Sequence, residues 1–178
     1  MRKISILSLI VSLFVSSFVV ANEVNVFNAR HYKADGELYS KFTNMTGIKV
    51  NLINGKSGAL EKRIISEGAD SSADLYINAD AGRWGTMDAK GTLQNGLTSA
   101  AIKAAVPKSF RTSKWVGIAK RARIIYYSPE RVTGAELSGM TYEGLADPKW
   151  KGRLVIRKSS NIYNKSLVAS LIANNGKK

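Results

Sequence analysis

The sequence predicts an α/β fold with a largely parallel sheet flanked by helices. Residues 24–27 and 48–53 have the alternation of apolar and polar side chains that is typical of strands, and residues 73–78 are predicted to form a third strand. Residues 34–46 and 59–67, which lie between them, repeat apolar side chains every three to four positions, as helices do. Strand, helix and strand at this spacing make a βαβ unit, the building block of layered α/β proteins.

Further elements follow along the chain. Short helices are predicted at 84–89 and 98–105, and a last helix at 162–173. Strands are predicted at 115–119, 123–127 and 153–157. No internal repeat and no low-complexity segment is found. Two groups of βα units separated by the strands near 115–127 indicate two lobes.

The first 21 residues have the pattern of a secretory signal peptide. Arg2 and Lys3 precede an apolar run over 4–20, and cleavage is expected after Ala21. The alternative is an uncleaved anchor helix, which is disfavoured because the run is short for a membrane span and contains several serines. The sequence therefore predicts a periplasmic protein with no stable membrane insertion after cleavage.

The composition is strongly basic and free of cysteine. The chain has 27 basic and 13 acidic side chains, a net charge of +14, and no cysteine. Such an excess favours negatively charged partners, but apart from the group at 120–123 the basic residues are scattered, which a solvated basic surface explains. Export makes nucleic acid an unexpected partner. Disulfides, thiolate metal sites and cysteine nucleophiles are excluded.

Arg30, His31 and Tyr32 form a candidate site directly after the first predicted strand. In α/β proteins, ligands bind at the carboxyl ends of strands because the loops there converge on one crevice. On these residues alone, a surface histidine and a half-exposed loop aromatic are the favoured interpretation. A Gly-Lys-Ser run in the loop at 54–58 is not a phosphate-binding loop, since the first glycine of that motif is missing.

Six short motifs follow one another along the chain: NARHY at 28–32, TGIKV at 46–50, DAGR at 80–83, KRAR at 120–123, LADPKWKG at 145–152 and SSNIYN at 159–164. In this order they resemble the ferric-iron-binding periplasmic proteins of ABC importers. The tyrosine-rich branch known from cyanobacteria is the most similar. Each motif alone is weak, but six in one order, from about residue 25 to the last residue, are specific.

The resemblance implies a two-lobed periplasmic-binding-protein fold of the class II type, with mostly parallel sheets. It implies a first α/β lobe at 22–115, then hinge strands and the start of a second α/β lobe at 116–178. It also implies an extracytoplasmic solute-binding protein that holds Fe(III) through tyrosinate ligands in the cleft between the lobes. Such a protein delivers iron to an inner-membrane ABC permease and is not an enzyme.

The implied iron ligands are Tyr32 and Tyr163, with His31 a ligand in some members and a neighbour in others. Family members are roughly twice as long, so the chain is expected to be truncated to its N-terminal half, and a non-functional fragment is an alternative. The adjacent tyrosine pair of the family would lie beyond residue 178. Tyr126 and Tyr127 are interpreted as core and strand aromatics instead, because neighbours on a strand point to opposite faces.

The chemistry of Fe(III) is consistent with this ligand set. A hard cation prefers charged oxygens, so it must displace the phenol proton, which ordinarily titrates near pH ~10. Several phenolates leave a net negative site, and arginine offsets this charge without competing for the metal because it has no lone pair to offer. Arg121, Arg123 and Arg30 are candidates for this role. The alternative for the first two is an exposed β-edge.

Ser160 and Asn161 precede the last predicted helix, where free backbone N–H groups attract anions. In other branches of the family a phosphate or carbonate completes the iron shell from such a position. Here Tyr163 is expected to take that place, so no anion is required. Ordinary helix capping is the alternative role of these residues.

Competing functions are a binding protein for another small anionic solute, which would bind without colour, and an interaction domain without a small ligand. An enzyme would need a nucleophile or an acid/base pair. His31 with Asp35 or Asp80 would form a dyad, but no motif places a nucleophile beside it. The sequence therefore predicts a monomeric iron-binding protein without catalytic activity.

Overall fold

The computed structural model describes residues 22–30 and 32–176. The predicted signal peptide at 1–21 and the candidate ligand His31 lie outside the described residues. No helix within the described ranges is both long enough and apolar enough to cross a membrane.

β1 (Glu23–Asn28) is the central strand of a three-stranded sheet. It pairs in parallel with β2 (Lys49–Asn54) on one side and with β3 (Leu75–Ile77) on the other. The register places Val26 beside Leu52 of β2 and Leu75 of β3. The predicted parallel sheet is thus confirmed, and its three strands overlap those predicted at 24–27, 48–53 and 73–78, the last of them shorter than predicted.

The predicted helices are also present. The structure has α1 (Lys33–Thr46), α2 (Ser57–Glu67), α3 (Ala81–Ala89), α4 (Ala100–Ala105) and α5 (Ile162–Asn175). Gly47 ends α1 in the left-handed region, with φ of 74°, and donates its N–H to the Thr43 carbonyl at 2.8 Å. Glycine adopts this conformation without a Cβ penalty, so the predicted helix stop is confirmed.

The described residues fall into two compact units. One contains the described residues up to Gly55 together with Ser72–Ile77, and so holds the whole sheet and α1. Its buried apolar residues are Val26 and Phe27 of β1. The other contains Lys56–Ser71 and the described residues from Asn78 onwards. Its buried apolar residues are Leu60, Ile64, Met87 and Trp150.

The apolar side of α1 is exposed. Leu38, Phe42 and Met45 recur at helical spacing, as predicted, yet no residue of α1 is buried. In α2, Leu60 and Ile64 are buried as predicted, whereas Ile65 is exposed. A helical period shows that one side of a helix is apolar, but its burial depends on which other elements are there to cover it.

The strands predicted at 115–119, 123–127 and 153–157 are not formed, and this part of the prediction is wrong. Within the described ranges, these segments contribute only an isolated antiparallel bridge between Arg111 and Val116. Their β-branched and aromatic residues have high strand propensity, but a strand also needs a neighbour that accepts its backbone hydrogen bonds. No such neighbour pairs with 123–127 or 153–157 in the part of the chain described.

Two leucines on helices test the buried core. Leu60 is 6% exposed and Leu38 is 65% exposed. We expect Leu60→Ala to lower the free energy of unfolding by about 2–5 kcal/mol, because it removes buried methyl groups and leaves a cavity. Leu38→Ala, the matched control, should change it by less than about 0.5 kcal/mol. Urea denaturation followed by circular dichroism measures both, and equal losses would contradict the burial of Leu60.

Candidate metal site

Asn28 fixes the loop that follows β1. Its side chain is buried at the end of the strand, and its amide Nδ2 donates to Oδ1 of Asn54 on β2 at 2.9 Å. Its Oδ1 accepts a hydrogen bond from the Arg30 backbone N–H at 3.0 Å. Because a buried amide must keep its partners, these contacts set where the chain leaves the sheet. The sequence prediction missed this role, although a polar residue ending an apolar strand was a signal for it.

Tyr32 lies in this loop beside a positive charge. Its side chain is 53% exposed, and the guanidinium carbon of Arg30 lies 4.8 Å from the centre of its ring. Arg30 is itself mostly buried, with Nε 3.6 Å from a carboxylate oxygen of Asp35. The arginine predicted to accompany Tyr32 is therefore in contact with it.

Tyr39 is the other tyrosine near this loop, in the second turn of α1. Burial raises its pKa above the ordinary value, the nearby Asp35 carboxylate raises it further, and Arg30 partly opposes them. A raised pKa stabilises the neutral phenol. Tyr39 is therefore a poor candidate for a phenolate ligand and a useful control for Tyr32.

Tyr163 lies in the first turn of α5, in the second unit. Asn161 is the N-cap of this helix, and its side-chain Oδ1 accepts the Tyr163 backbone N–H at 2.9 Å. Ser160 is exposed in the turn just before it. The helix thus begins with an ordinary cap, and the cap holds Tyr163 at a fixed position on the helix end.

Three arginines surround the half-buried Tyr163 ring. The guanidinium carbons of Arg121, Arg123 and Arg157 lie 5.7, 5.0 and 5.2 Å from its centre. We call Arg121, Arg123 and Arg157 the arginine cluster. The first two were predicted. Arg157 was not predicted. Its position at the end of a predicted strand, six residues before Tyr163, was the signal that could have identified it.

The turn before α3 holds two members of this cluster. Arg121 donates from Nη2 to the Ala79 carbonyl at 2.9 Å, and Arg123 donates from Nη2 to Oδ2 of Asp80 at 3.0 Å. Neither arginine lies on a strand, so the β-edge considered as their alternative setting is not formed, although both residues are exposed. Two members of the cluster, Arg123 and Arg157, line a cavity of about 600 Å³ together with Tyr163 and other residues of 122–128 and 153–157.

Tyr126 and Tyr127 are not core aromatics. They are 85% and 50% exposed and lie on no strand, which corrects the sequence interpretation. The reason is that their segment pairs with no strand among the described residues, so strand pairing does not bury these side chains. Both tyrosines line the same cavity as Tyr163.

The described residues contain no group of three or more His, Cys, Asp or Glu side chains that would hold a metal ion. The carboxylates of Asp35 and Asp80, considered as partners of His31, form ion pairs with Arg30 and Arg123. The predicted residues therefore form two groups in different units: Tyr32 with Arg30, and Tyr163 with Asn161 and the arginine cluster. Each presents a phenol beside guanidinium groups.

Comparison with known proteins identifies relatives of this chain. No family model matches it. Iron uptake protein A1 of Synechocystis sp. is 50% identical over 156 residues, which are 86% of this chain and 42% of that protein. The Fe(3+)-binding periplasmic protein of Serratia marcescens is 31% identical over 155 residues, 86% of this chain and 45% of that protein.

Solved structures agree with these matches. A Trichodesmium protein in complex with iron and citrate ligands has a TM-score of 0.79 at 47% identity, covering 86% of this chain and 48% of that one. The ferric binding protein of Campylobacter jejuni has a TM-score of 0.77 at 39% identity, covering 86% and 49%. The predicted α/β periplasmic-binding-protein fold is confirmed by these matches.

The chain spans about half the length of the relatives it matches. These relatives are named for iron uptake or ferric iron binding, and none of those named above is an enzyme. The chain is therefore a homologue of the periplasmic ferric-iron-binding proteins, and over the matched part it has their fold.

Proposed function

We propose that this chain belongs to a periplasmic solute-binding protein that takes up Fe(III) through tyrosinate ligands. Tyr32 and Tyr163 supply phenolate oxygens, and His31 is a further candidate ligand. In this proposal the ligands approach the metal from two lobes, at 22–115 and 116–178, with iron held in the cleft between them. The protein delivers its iron to an inner-membrane ABC permease and acts as a monomer without catalysis.

The arginine cluster around Tyr163 is the observation that carries this proposal. Three guanidinium groups within 5.0–5.7 Å of one ring would offset the negative charge that phenolates bring to the metal. Arginine has no lone pair, so it supplies this charge without entering the coordination shell. Arg30 stands in the same relation to Tyr32.

The scarcity of other ligands supports tyrosine as the metal-binding residue. No cluster of carboxylates and imidazoles occurs among residues 22–30 and 32–176, and the chain has no cysteine. We therefore propose that a hard trivalent cation would be coordinated by phenolate oxygens. The names of the relatives, which refer to iron uptake and ferric iron binding, support the same metal.

Asn161 and Ser160 contribute to this site through the start of α5. Asn161 orients the first turn that carries Tyr163, and Ser160 lies exposed in the turn just before it. We propose that no separate anion is required, because the phenolate of Tyr163 provides the negative charge at this helix end.

A second candidate is capture of another small anionic solute, which the arginine cluster favours. The two functions differ in colour, since tyrosinate bound to Fe(III) absorbs visible light and an anion bound to arginine does not. Thermal stabilisation by citrate in the absence of any metal, with no visible band on adding iron, would favour this second function.

Titration with Fe(III) tests the iron proposal. We expect wild-type protein mixed with Fe(III) nitrilotriacetate to develop a visible charge-transfer band. Tyr32→Phe and Tyr163→Phe should each weaken binding by at least the ~10- to 100-fold that loss of a metal's supporting residues costs. Tyr39→Phe is the matched control and should leave the band unchanged, because the raised pKa of Tyr39 disfavours its phenolate. An unchanged spectrum in both of the first two variants would rule out the assignment.

The same titration should depend on pH. Binding releases the phenol protons, so protons compete with the metal and the apparent affinity for Fe(III) should fall as the pH is lowered. Repeating the absorbance titration between about pH 5 and 8 measures this, with the chelator's own pH dependence subtracted. An affinity that is constant over this range would show that no phenol proton is displaced.

The cap of α5 can be tested separately from metal binding. Asn161→Ala removes the acceptor of the Tyr163 N–H and should lower stability by about 0.5–2 kcal/mol. Asn161→Asp keeps an acceptor oxygen at this position and should retain most of that stability. Thermal unfolding of the iron-free protein measures both changes. If the two variants lose the same stability, Asn161 does not act as the cap.

A further inference from the structure

Asp80 lies at the N-cap of α3, and its carboxylate is almost fully buried, with 7% of the side chain exposed. Its two oxygens have different partners. Oδ1 accepts hydrogen bonds from the Gly82 backbone N–H at 2.9 Å and from the Ser166 hydroxyl of α5 at 2.8 Å. Oδ2 accepts from Nη2 of Arg123 at 3.0 Å. One carboxylate thus links α3, α5 and the arginine cluster.

The surroundings of Asp80 hold this carboxylate in place. Its backbone N–H donates to Oδ1 of Asn78 at 2.8 Å. A Cβ added at Gly82 would lie 3.1 Å from Oδ1 of Asp80 and 3.4 Å from Cδ1 of Ile162 on α5. The absence of a side chain at Gly82 therefore lets the turn approach α5 closely, and it leaves the carboxylate little freedom to move.

Asp80 contacts both the helix that bears Tyr163 and the arginine that faces it. Ser166 lies three residues after Tyr163 on α5, so the two side chains project from neighbouring turns of one helix side. The preceding carbonyl, of Ala79, accepts a hydrogen bond from Arg121. A single turn therefore fixes two guanidinium groups relative to the Tyr163 ring.

We propose that Asp80 is a positioning residue for the metal site. It holds the Arg123 guanidinium group at a fixed position beside the Tyr163 ring. This inference rests on the proposed function. The Arg123 side chain is 39% exposed, and ion pairs at exposed positions add little to stability. The main effect of the contact with Asp80 is therefore to orient the guanidinium group.

Asp80→Asn is the variant that separates this role from capping. Asparagine is as good an N-cap as aspartate and keeps an oxygen for Gly82 and Ser166. Its amide nitrogen, however, presents a donor to the Arg123 donor, so the contact that fixes Arg123 is lost. Ser166→Ala is the matched control, because it removes one of the two partners of Oδ1 and leaves the contact of Oδ2 with Arg123.

Two measurements are needed. In the iron-free protein, the side-chain Nε–Hε NMR signal of Arg123, assigned by its loss in Arg123→Gln, should move toward the free-arginine position in Asp80→Asn and stay in Ser166→Ala. With Fe(III) nitrilotriacetate, Asp80→Asn should weaken binding by about 10- to 100-fold, as expected for a residue that supports a metal ligand. Ser166→Ala should leave the binding curve within about twofold. Thermal unfolding confirms that each variant is folded.

A double-mutant cycle identifies how Asp80 acts. If it acts through Arg123, adding Asp80→Asn to Arg123→Gln should weaken binding no further. A direct effect of the lost negative charge on the cation would persist in the Arg123→Gln background and would overturn the inference. Displacement of the Arg123 signal with unchanged iron binding would also overturn it. A wild-type protein with no visible band would instead contradict the proposed function itself, and with it any role of Asp80 in iron binding.

Discussion

The pairing of β1 on both of its edges is the constraint on which the first unit depends. A parallel strand hydrogen bonded on both sides has a fixed register, and here two amide pairs strengthen it, Asn25 with Asn51 and Asn28 with Asn54. Asn28 also accepts a hydrogen bond from the Arg30 backbone N–H. The register of the sheet therefore determines the position of the loop that carries Tyr32. A shift of one residue would turn Phe27 out of the core and move this loop with it.

In the second unit, buried polar contacts rather than sheet pairing organise the candidate site. Asp80 joins α3, α5 and Arg123, and Asn161 caps the helix that presents Tyr163. Fixed donors and acceptors of this kind give a metal site a preset charge distribution, so little rearrangement is needed when the ion arrives. Tyr32 is thus positioned by contacts at the end of a strand, and Tyr163 by the cap at the start of a helix.

Local pattern was sufficient for the three strands of the sheet and for the helices. The alternation around Val26 and the glycine after α1 are local signals, whereas Tyr32 and Tyr163 became candidates only through the resemblance carried by the ordered motifs. Arg157 and Asp80 were not assigned to the site because their contacts with Tyr163 and Arg123 join residues that only the fold brings together. The strands at 123–127 and 153–157 were wrongly predicted for a related reason, because strand propensity is local whereas strand pairing is not.

The segments 123–127 and 153–157, which pair with no strand in the part of the chain described, also affect the susceptibility of the chain to proteases. Val155 is 98% exposed, and both segments contain arginine beside aliphatic side chains with no regular secondary structure around them. Exposed chain of this kind is where proteolytic nicking concentrates. Cleavage by trypsin after Arg157 would sever the covalent link between Tyr163 and the preceding arginines, leaving the contact of Ser166 with Asp80 among those that hold α5 in place. The lifetime of the intact polypeptide in a protease-rich compartment therefore depends on whether these segments are covered.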